Sequence, residues 1–219
     1  MSHTEPLVKF FDRYPALTYR RGTLLIRGGE KPRGIMFLVQ GYVRQYHLSD
    51  SGEQLLLHTY KPGAFFPMTW GMADIPNRYF FDAITDVAVK QVNKEELNTF
   101  LQKNPAELAV FSKRILRGLD GLLRRIEHLV LDSAYRKTVS FILYYAQTFA
   151  KTAGVEKTVT VPLTHRELGA WIGTSRETVS LTMEKLKTKG LIRYQGRRLV
   201  IPDVHLLTQE LDRKTIFSP

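Results

Sequence analysis

Apolar residues recur along this chain with several different rhythms, and the changes of rhythm divide it into parts. Near the N-terminus Leu7, Val8, Phe10 and Phe11 form the apolar face of a short helix. From Tyr19 to Val92 short β-rich segments stand between glycines at positions 22, 28, 29, 34, 41, 52 and 63. They include Thr23–Ile26, Ile35–Val39, Tyr42–Tyr46 and Leu55–Leu57. Closely spaced strands with glycine turns predict an antiparallel jelly roll or barrel. Between Pro105 and Leu131, residues Leu108, Ser112, Ile115, Leu119, Leu122, Ile126 and Leu129 alternate spacings of four and three. That is a helix with an a/d seam of about three heptads, and Pro105 suits its first turn. Such a seam packs either on the chain's own core or on a second copy. Arg114, Arg117, Arg124 and Arg125 fall off the seam and read as solvated or ion-paired. Asp132 and Ser133 end the helix and cap the next, Ala134 to Ala150, which makes this the expected hinge. Thr152 to Lys157 reads as a surface loop before a strand at 158–161.

The stretch from Leu163 to Ile201 carries two short helical patterns and two strands. Thr164 and Glu167 have the spacing of a capping box, and Thr174 and Glu177 repeat it. Leu168, Trp171 and Ile172 form one apolar stripe, and Val179, Met183 and Leu186 another. Gly173 supplies the tight turn between them and Gly190 a C-cap. Two capped helices around a glycine turn predict a helix-turn-helix, although an amphipathic pair alone also fits a plain helical hairpin. The additions favour DNA. Ser175, Arg176, Glu177 and Ser180 lie in the first turns of the second helix, where base edges are read. Lys185, Lys187 and Lys189 follow. Ile192–Tyr194, a turn at Gln195-Gly196-Arg197 and Arg198–Ile201 then form a hairpin with a basic tip, suited to phosphate.

Charge agrees with this reading. The 219 residues carry a formal net charge of +11 and a pI near 9.8, so the expected partner is a polyanion, nucleic acid or an acidic membrane surface. With no cysteine there are no disulfides, thiolate zinc sites or cysteine-ligated iron–sulfur clusters. The N-terminus lacks an apolar signal core and no apolar run reaches membrane-spanning length, so a cytoplasmic protein without a membrane partner is expected. No catalytic constellation and no metal site is evident, and the chain does not read as an enzyme.

Gly173-Thr174-Ser175-Arg176-Glu177-Thr178-Val179 resembles the recognition-helix signature of the CRP/FNR superfamily, the cyclic-AMP receptor and fumarate-nitrate regulators. Leu38-Val39-Gln40-Gly41-Tyr42-Val43 and Lys61-Pro62-Gly63-Ala64-Phe65 resemble its cyclic-nucleotide-binding domain, so the likeness runs from about Tyr19 to Pro202. It implies an α+β chain: a β-roll sensor domain at 1–104, a central dimerisation helix and hinge at 105–132, and a winged helix-turn-helix at 133–219. It further implies a homodimeric bacterial transcription regulator, joined through Leu108, Ile115, Leu119, Leu122, Ile126 and Leu129, with palindromic double-stranded DNA and RNA polymerase as partners. Arg176 would donate to guanine and Glu177 accept from a cytosine amino group. The family's third base reader falls at Leu181, so Ser180, Leu181 or Thr182 would meet a thymine methyl instead. Phosphate contacts are expected from Thr164, Ser175, Thr178, Lys185, Lys189, Arg197 and Arg198.

The sensor cassette departs from the family pattern. Pro67 and Met68 stand where cyclic-nucleotide binders have Gly and Glu for the ribose. Asn77 and Arg78 replace the Arg-Ser pair for the phosphate, and Gly121 and Leu122 replace hydroxyl residues for the base. Cyclic AMP is therefore not the expected effector. The ligand positions of haem-containing relatives are Pro67 and Thr69, and His58 alone reads as structural. The aromatic cluster around Phe65–Met72 and Tyr79–Phe81 is either roll core or an apolar pocket for an unknown small molecule, with no cofactor implied. As a pocket it would comprise Phe66, Met68, Trp70, Tyr79 and Leu122, anchored by Arg78. Two other functions remain: an effector-independent architectural DNA-binding protein, and a nucleotide-sensing regulatory subunit that does not bind DNA. The second requires the cassette that this chain lacks.

Overall fold

The computed structural model describes residues 5–50, 52 and 54–212; the outermost parts of the expected end domains, 1–4 and 213–219, lie outside the described residues. The chain forms two compact units that meet at Leu122/Leu123, inside one continuous helix.

The first unit begins with α1 (Glu5–Asp12), followed by strands β1 (Ala16–Tyr19), β2 (Leu24–Ile26), β3 (Ile35–Gln40), β4 (Val43–Leu48), β5 (Gln54–Tyr60) and β6 (Phe65–Phe66). A short α2 (Met68–Ala73), β7 (Phe80–Ala83), β8 (Val87–Val92), α3 (Lys94–Lys103) and the long α4 (Pro105–Leu131) as far as Leu122 complete it. The eight strands make two antiparallel sheets, ordered β1-β8-β3-β6 and β2-β7-β4-β5. This is the predicted roll.

Strand β3 shows how the layers are built. Ile35, Met36, Phe37 and Leu38 are all buried, because consecutive side chains point to opposite faces and both faces are covered. Met36 and Leu38 join Val43, Phe66, Phe81, Val87 and Val89 between the sheets. Ile35 and Phe37 join Phe65, Leu7, Phe10 and Phe11 of α1, Leu97 and Leu101 of α3, Trp70 and Phe111 on the other side. Phe11, Phe37 and Phe65 stack in sequence at 4.9 and 5.0 Å. Across β4 and β7, Arg44 holds Asp82 through two bonds of 2.9 and 2.5 Å, fixing their register.

Helix α4 matches its predicted span, and Leu108, Ile115, Leu119, Leu122 and Ile126 are each 37–50% exposed in the single chain. Leu129 is half-buried. Leu116, Leu123, Val130 and Leu131 add exposed apolar surface that the heptad reading did not include.

The second unit continues with α5 (Ala134–Phe149), β9 (Ala150–Ala153), β10 (Glu156–Val159), α6 (His165–Ile172), α7 (Arg176–Thr188), β11 (Arg193–Gln195), β12 (Arg198–Ile201) and α8 (Val204–Asp212). Its sheet is ordered β11-β12-β10-β9. The expected loop at 152–157 is instead most of a hairpin: β9 pairs with β10 from Glu156–Ala153 to Val159–Ala150, turning at Gly154 with φ 62°. Backbone pairing and the neighbouring wing hold it, so its polar sequence carries no alternation that would reveal a strand. Helix α5 buries Val139, Phe141, Ile142, Leu143, Tyr145, Ala146 and Phe149.

Candidate nucleic-acid interface

Helix α6 starts with the predicted capping box. Thr164 Oγ1 accepts from the Glu167 N–H at 3.1 Å, and the Glu167 carboxylate accepts from the Thr164 N–H at 2.9 Å. The Thr164 hydroxyl also donates to that carboxylate at 2.8 Å, so this expected phosphate contact is engaged in the cap.

The second predicted box, Thr174 with Glu177, is not formed. Ser175 is the N-cap of α7, and its Oγ accepts from the Thr178 N–H at 3.2 Å. Gly173 takes the left-handed conformation, and the N–H groups of Gly173 and Thr174 both return to the Gly169 carbonyl. The chain therefore leaves the turn one residue later than the spacing implied. Gly169 also lets the helices approach: a Cβ there would lie 2.7 Å from Thr174 O.

Helix α7 has two faces. Val179, Thr182, Met183 and Leu186 are buried. Arg176, Glu177, Leu181 and Lys185 are exposed, and Ser180 is half-buried between them. Leu181 is 75% exposed. Thr182 points inward and donates to Thr178 O at 3.0 Å, which removes it from the candidate thymine contacts. The Glu177 carboxylate is held below the usual range by its own backbone N–H and by the Ser175 hydroxyl, so it stays an acceptor at neutral pH.

Lys189 corrects the sequence reading. Its ammonium lies 2.7 Å from Glu210 and 3.1 Å from the Tyr135 hydroxyl, and Tyr135 donates to the same carboxylate at 2.6 Å. Glu210 is nearly buried, and its hydrogen bond to Lys189 raises the lysine's pKa. A cation already paired with a buried carboxylate has little to offer phosphate. Lys185 is exposed, and its ammonium lies 5.1 Å from the centre of the Tyr135 ring. In the wing, Gln195 pairs with Arg198 across a turn at Gly196, leaving Arg197 and Arg198 exposed at the tip. Arg193 is tied to Glu156 at 2.8 Å.

Arg125 is the second correction. It is not simply solvated. Its guanidinium lies 4.0 Å from the centre of the Trp171 ring and donates to the Trp171 carbonyl at 2.9 Å, and burial lowers its pKa to about 10. Tyr135, Gly169 and Glu210 also belong to this framework. Tyr135 and Glu210 lie 75 residues apart in sequence, so no local pattern announces that pair.

The six pocket candidates do not converge. Phe66 stacks on Phe81 at 5.4 Å between the sheets, while Trp70 lies in the cluster on the far side of the first sheet. Arg78 is exposed and Leu122 half-exposed; Met68 and Tyr79 are half-buried in different clusters. Asn77 is buried, its side-chain amide donating to Arg27 O and Tyr79 O and its Oδ1 accepting from the Tyr79 N–H. A cleft of about 410 Å³ lies elsewhere, lined by Thr18, Tyr19, Arg20, Gln40, Asp86, Val87 and Ala88. Among the described residues no cluster could hold a metal ion, and no helix is long and apolar enough to cross a membrane.

Comparison with known proteins agrees with this architecture. The Crp-like helix-turn-helix domain matches residues 136–210 and the cyclic nucleotide-binding domain residues 16–104. The chain is 29% identical over 168 residues to the transcriptional activatory protein AadR of Rhodopseudomonas palustris, spanning 76% of this chain and 66% of AadR. It is 25% identical over 191 residues to the cAMP-activated global transcriptional regulator CRP of Pasteurella multocida, spanning 84% and 88%. A CRP/FNR-family transcriptional regulator from Thermus thermophilus shares the fold with a TM-score of 0.74 at 24% identity, over 90% of this chain and 98% of that one. The relatives are regulators, not enzymes. Both domains, in the same order and over most of the sequence, place this chain in the CRP/FNR family of DNA-binding transcription regulators.

Proposed function

We propose that this protein is a homodimeric, sequence-specific transcription regulator that reads a palindromic duplex and does not respond to cyclic AMP. The observation that carries this reading is the outer face of α7, where Arg176 and Glu177 stand exposed at a capped helix start. Arg176 offers two parallel donors to guanine O6 and N7, and Glu177 accepts from a cytosine amino group. Arg197, Arg198 and Lys185 hold phosphates, together with the hydroxyls and N–H groups at the start of α7. Leu181 is apolar and open to solvent at the next turn, and it meets the methyl of a thymine nearer the dyad.

Dimerisation is supported by the uncovered apolar stripe of α4, which is larger than a lone chain would leave in water. A two-fold pair presents two reading helices, hence a palindrome with half-site centres roughly 34 Å apart. RNA polymerase is the further partner of such a regulator at a promoter. Insensitivity to cyclic AMP is supported by Pro67 and Met68, by the engagement of Asn77 with the backbone of Arg27 and Tyr79, and by the aromatic side chains packed between the sheets.

One titration tests the dimer and the indifference to cyclic AMP together. Purified protein is mixed with a duplex recovered by selection, with and without millimolar cyclic AMP, while light scattering follows the mass. The expected result is one dimer per duplex with the same affinity in both cases. A monomer on DNA, or binding that appears only with cyclic AMP, overturns the proposal.

A further inference from the structure

The contact between Arg125 and Trp171 lies outside the surface that meets DNA, yet it bears on how that surface is aimed. Arg125 sits three residues past Leu122, on the part of α4 that belongs to the second unit. Its planar guanidinium covers the Trp171 ring at 4.0 Å, and Nη2 donates to the Trp171 carbonyl at 2.9 Å. Phe141 and Tyr144 of α5 hold the other sides of that ring at 5.2 and 5.7 Å.

The accepting carbonyl is in the last turn of α6, where backbone oxygens lack partners within the helix and carry the negative end of its dipole. A cation is the fitting cap. Half-burying a guanidinium is costly, as its lowered pKa records, and the ring and carbonyl contacts offset that cost. Two residues after Trp171 comes Gly173, then Thr174, bonded back to Gly169, then Ser175, the N-cap of α7. Arg176 follows at once. Whatever fixes the end of α6 therefore fixes the start of α7 through a turn with little freedom of its own.

We propose that Arg125 is a positioning residue for base reading: from α4 it clamps the C-terminus of α6, and so sets where Arg176 and Glu177 point. This rests on the DNA-reading proposal and goes beyond it, because Arg125 itself touches no DNA. Lysine is no substitute. Its ammonium is a point charge without the flat surface that lies on tryptophan while a second edge bonds the carbonyl.

The test uses full-length wild type, Arg125→Lys and Arg125→Met, each confirmed as folded by urea unfolding. Affinities are measured for the palindrome recovered by selection and for a scrambled duplex of the same composition, across a salt series. Misaiming costs about one base contact in each protomer, two per bound dimer, so affinity for the palindrome should fall roughly thirtyfold or more. Affinity for the scrambled duplex should stay within about twofold with an unchanged salt slope, since the wing and its phosphate contacts are intact. The lysine variant retains charge and volume, so it keeps the question open to measurement if the methionine variant fails to fold. A parallel loss on both duplexes, or no loss on either, overturns the positioning role. Wild type that does not distinguish the duplexes would instead sink the DNA-reading proposal on which it rests.

Discussion

Replacing Gly169 by alanine should weaken the protein and its reading of DNA together, although alanine is the better helix former. The added Cβ would lie 2.7 Å from Thr174 O and 3.6 Å from the Ser175 carbonyl group. Ordinary contact begins at 3.4 Å, so the turn must give way by about 0.7 Å. The obstacle is backbone, so no rotamer change relieves it. It is also the segment whose Thr174 N–H bonds Gly169 O at 3.1 Å, so moving it strains that bond. Helix propensity returns about 1 kcal/mol, overpacking costs about 1–3 kcal/mol and a weakened hydrogen bond about 1 kcal/mol, for a net loss of about 1–3 kcal/mol. Gly190→Ala is the control. Gly190 has φ 71° and open space around it, so alanine there costs about 1–2 kcal/mol by backbone strain alone. Urea unfolding should show similar losses for both variants. A band-shift titration should show that only Gly169→Ala loses affinity for the selected palindrome, by about tenfold, because only there does the start of α7 move. An increase in stability for Gly169→Ala, or equal loss of DNA affinity in both variants, would refute the close approach of α6 and α7 as the reason for glycine.

The remaining predictions follow from the corrected site. Substituting uracil for the thymine that Leu181 meets removes only a methyl group and should cost wild type roughly 0.8 kcal/mol; Leu181→Ala should be indifferent to it, and equal sensitivity of the two proteins would remove Leu181 from the base readers. Lys189→Ala leaves Glu210, 7% exposed, without its ammonium but still bonded by Tyr135, so unfolding should show a loss of about 1 kcal/mol, after allowing for screening of the half-exposed lysine, with an unchanged salt slope on DNA. Arg197→Ala should instead leave stability intact and lower that slope by about two units, one per protomer, and the reverse pattern would restore Lys189 to the phosphate contacts. Leu122→Asp places a carboxylate on the apolar stripe of α4, at a cost of several kcal/mol if that stripe is buried between protomers, so light scattering should show dissociation, whereas an intact dimer would place the interface elsewhere.

How far the structure was legible depends on where each feature keeps its partners. The α4 seam, the β-roll segments and the two short helices are periodic in their own residues, so pattern alone located them. The capping box at Thr164 was legible because both partners lie within three residues. The same spacing misled at Thr174, where the bonds of Gly173 and Thr174 to Gly169 delay the helix start by one residue. Lys189 looked like a free cation because its partner, Glu210, is 21 residues ahead and Tyr135 54 behind. Arg125 looked solvated because an off-seam position says nothing of a tryptophan 46 residues on. Phe66 and Trp70 looked like one aromatic cluster, but the sheet between them sends them to separate cores.

Selection from random duplexes, run in parallel on wild type and Arg176→Ala, tests the central claim most directly. Wild type should return a palindrome whose half-site centres are about 34 Å apart, roughly one helical turn. Arg176→Ala should lose about 1–3 kcal/mol in each half-site and relax its preference at one base pair per half-site, leaving the other positions unchanged. No palindrome from wild type, or an identical preference from the variant, would contradict direct reading of DNA by α7.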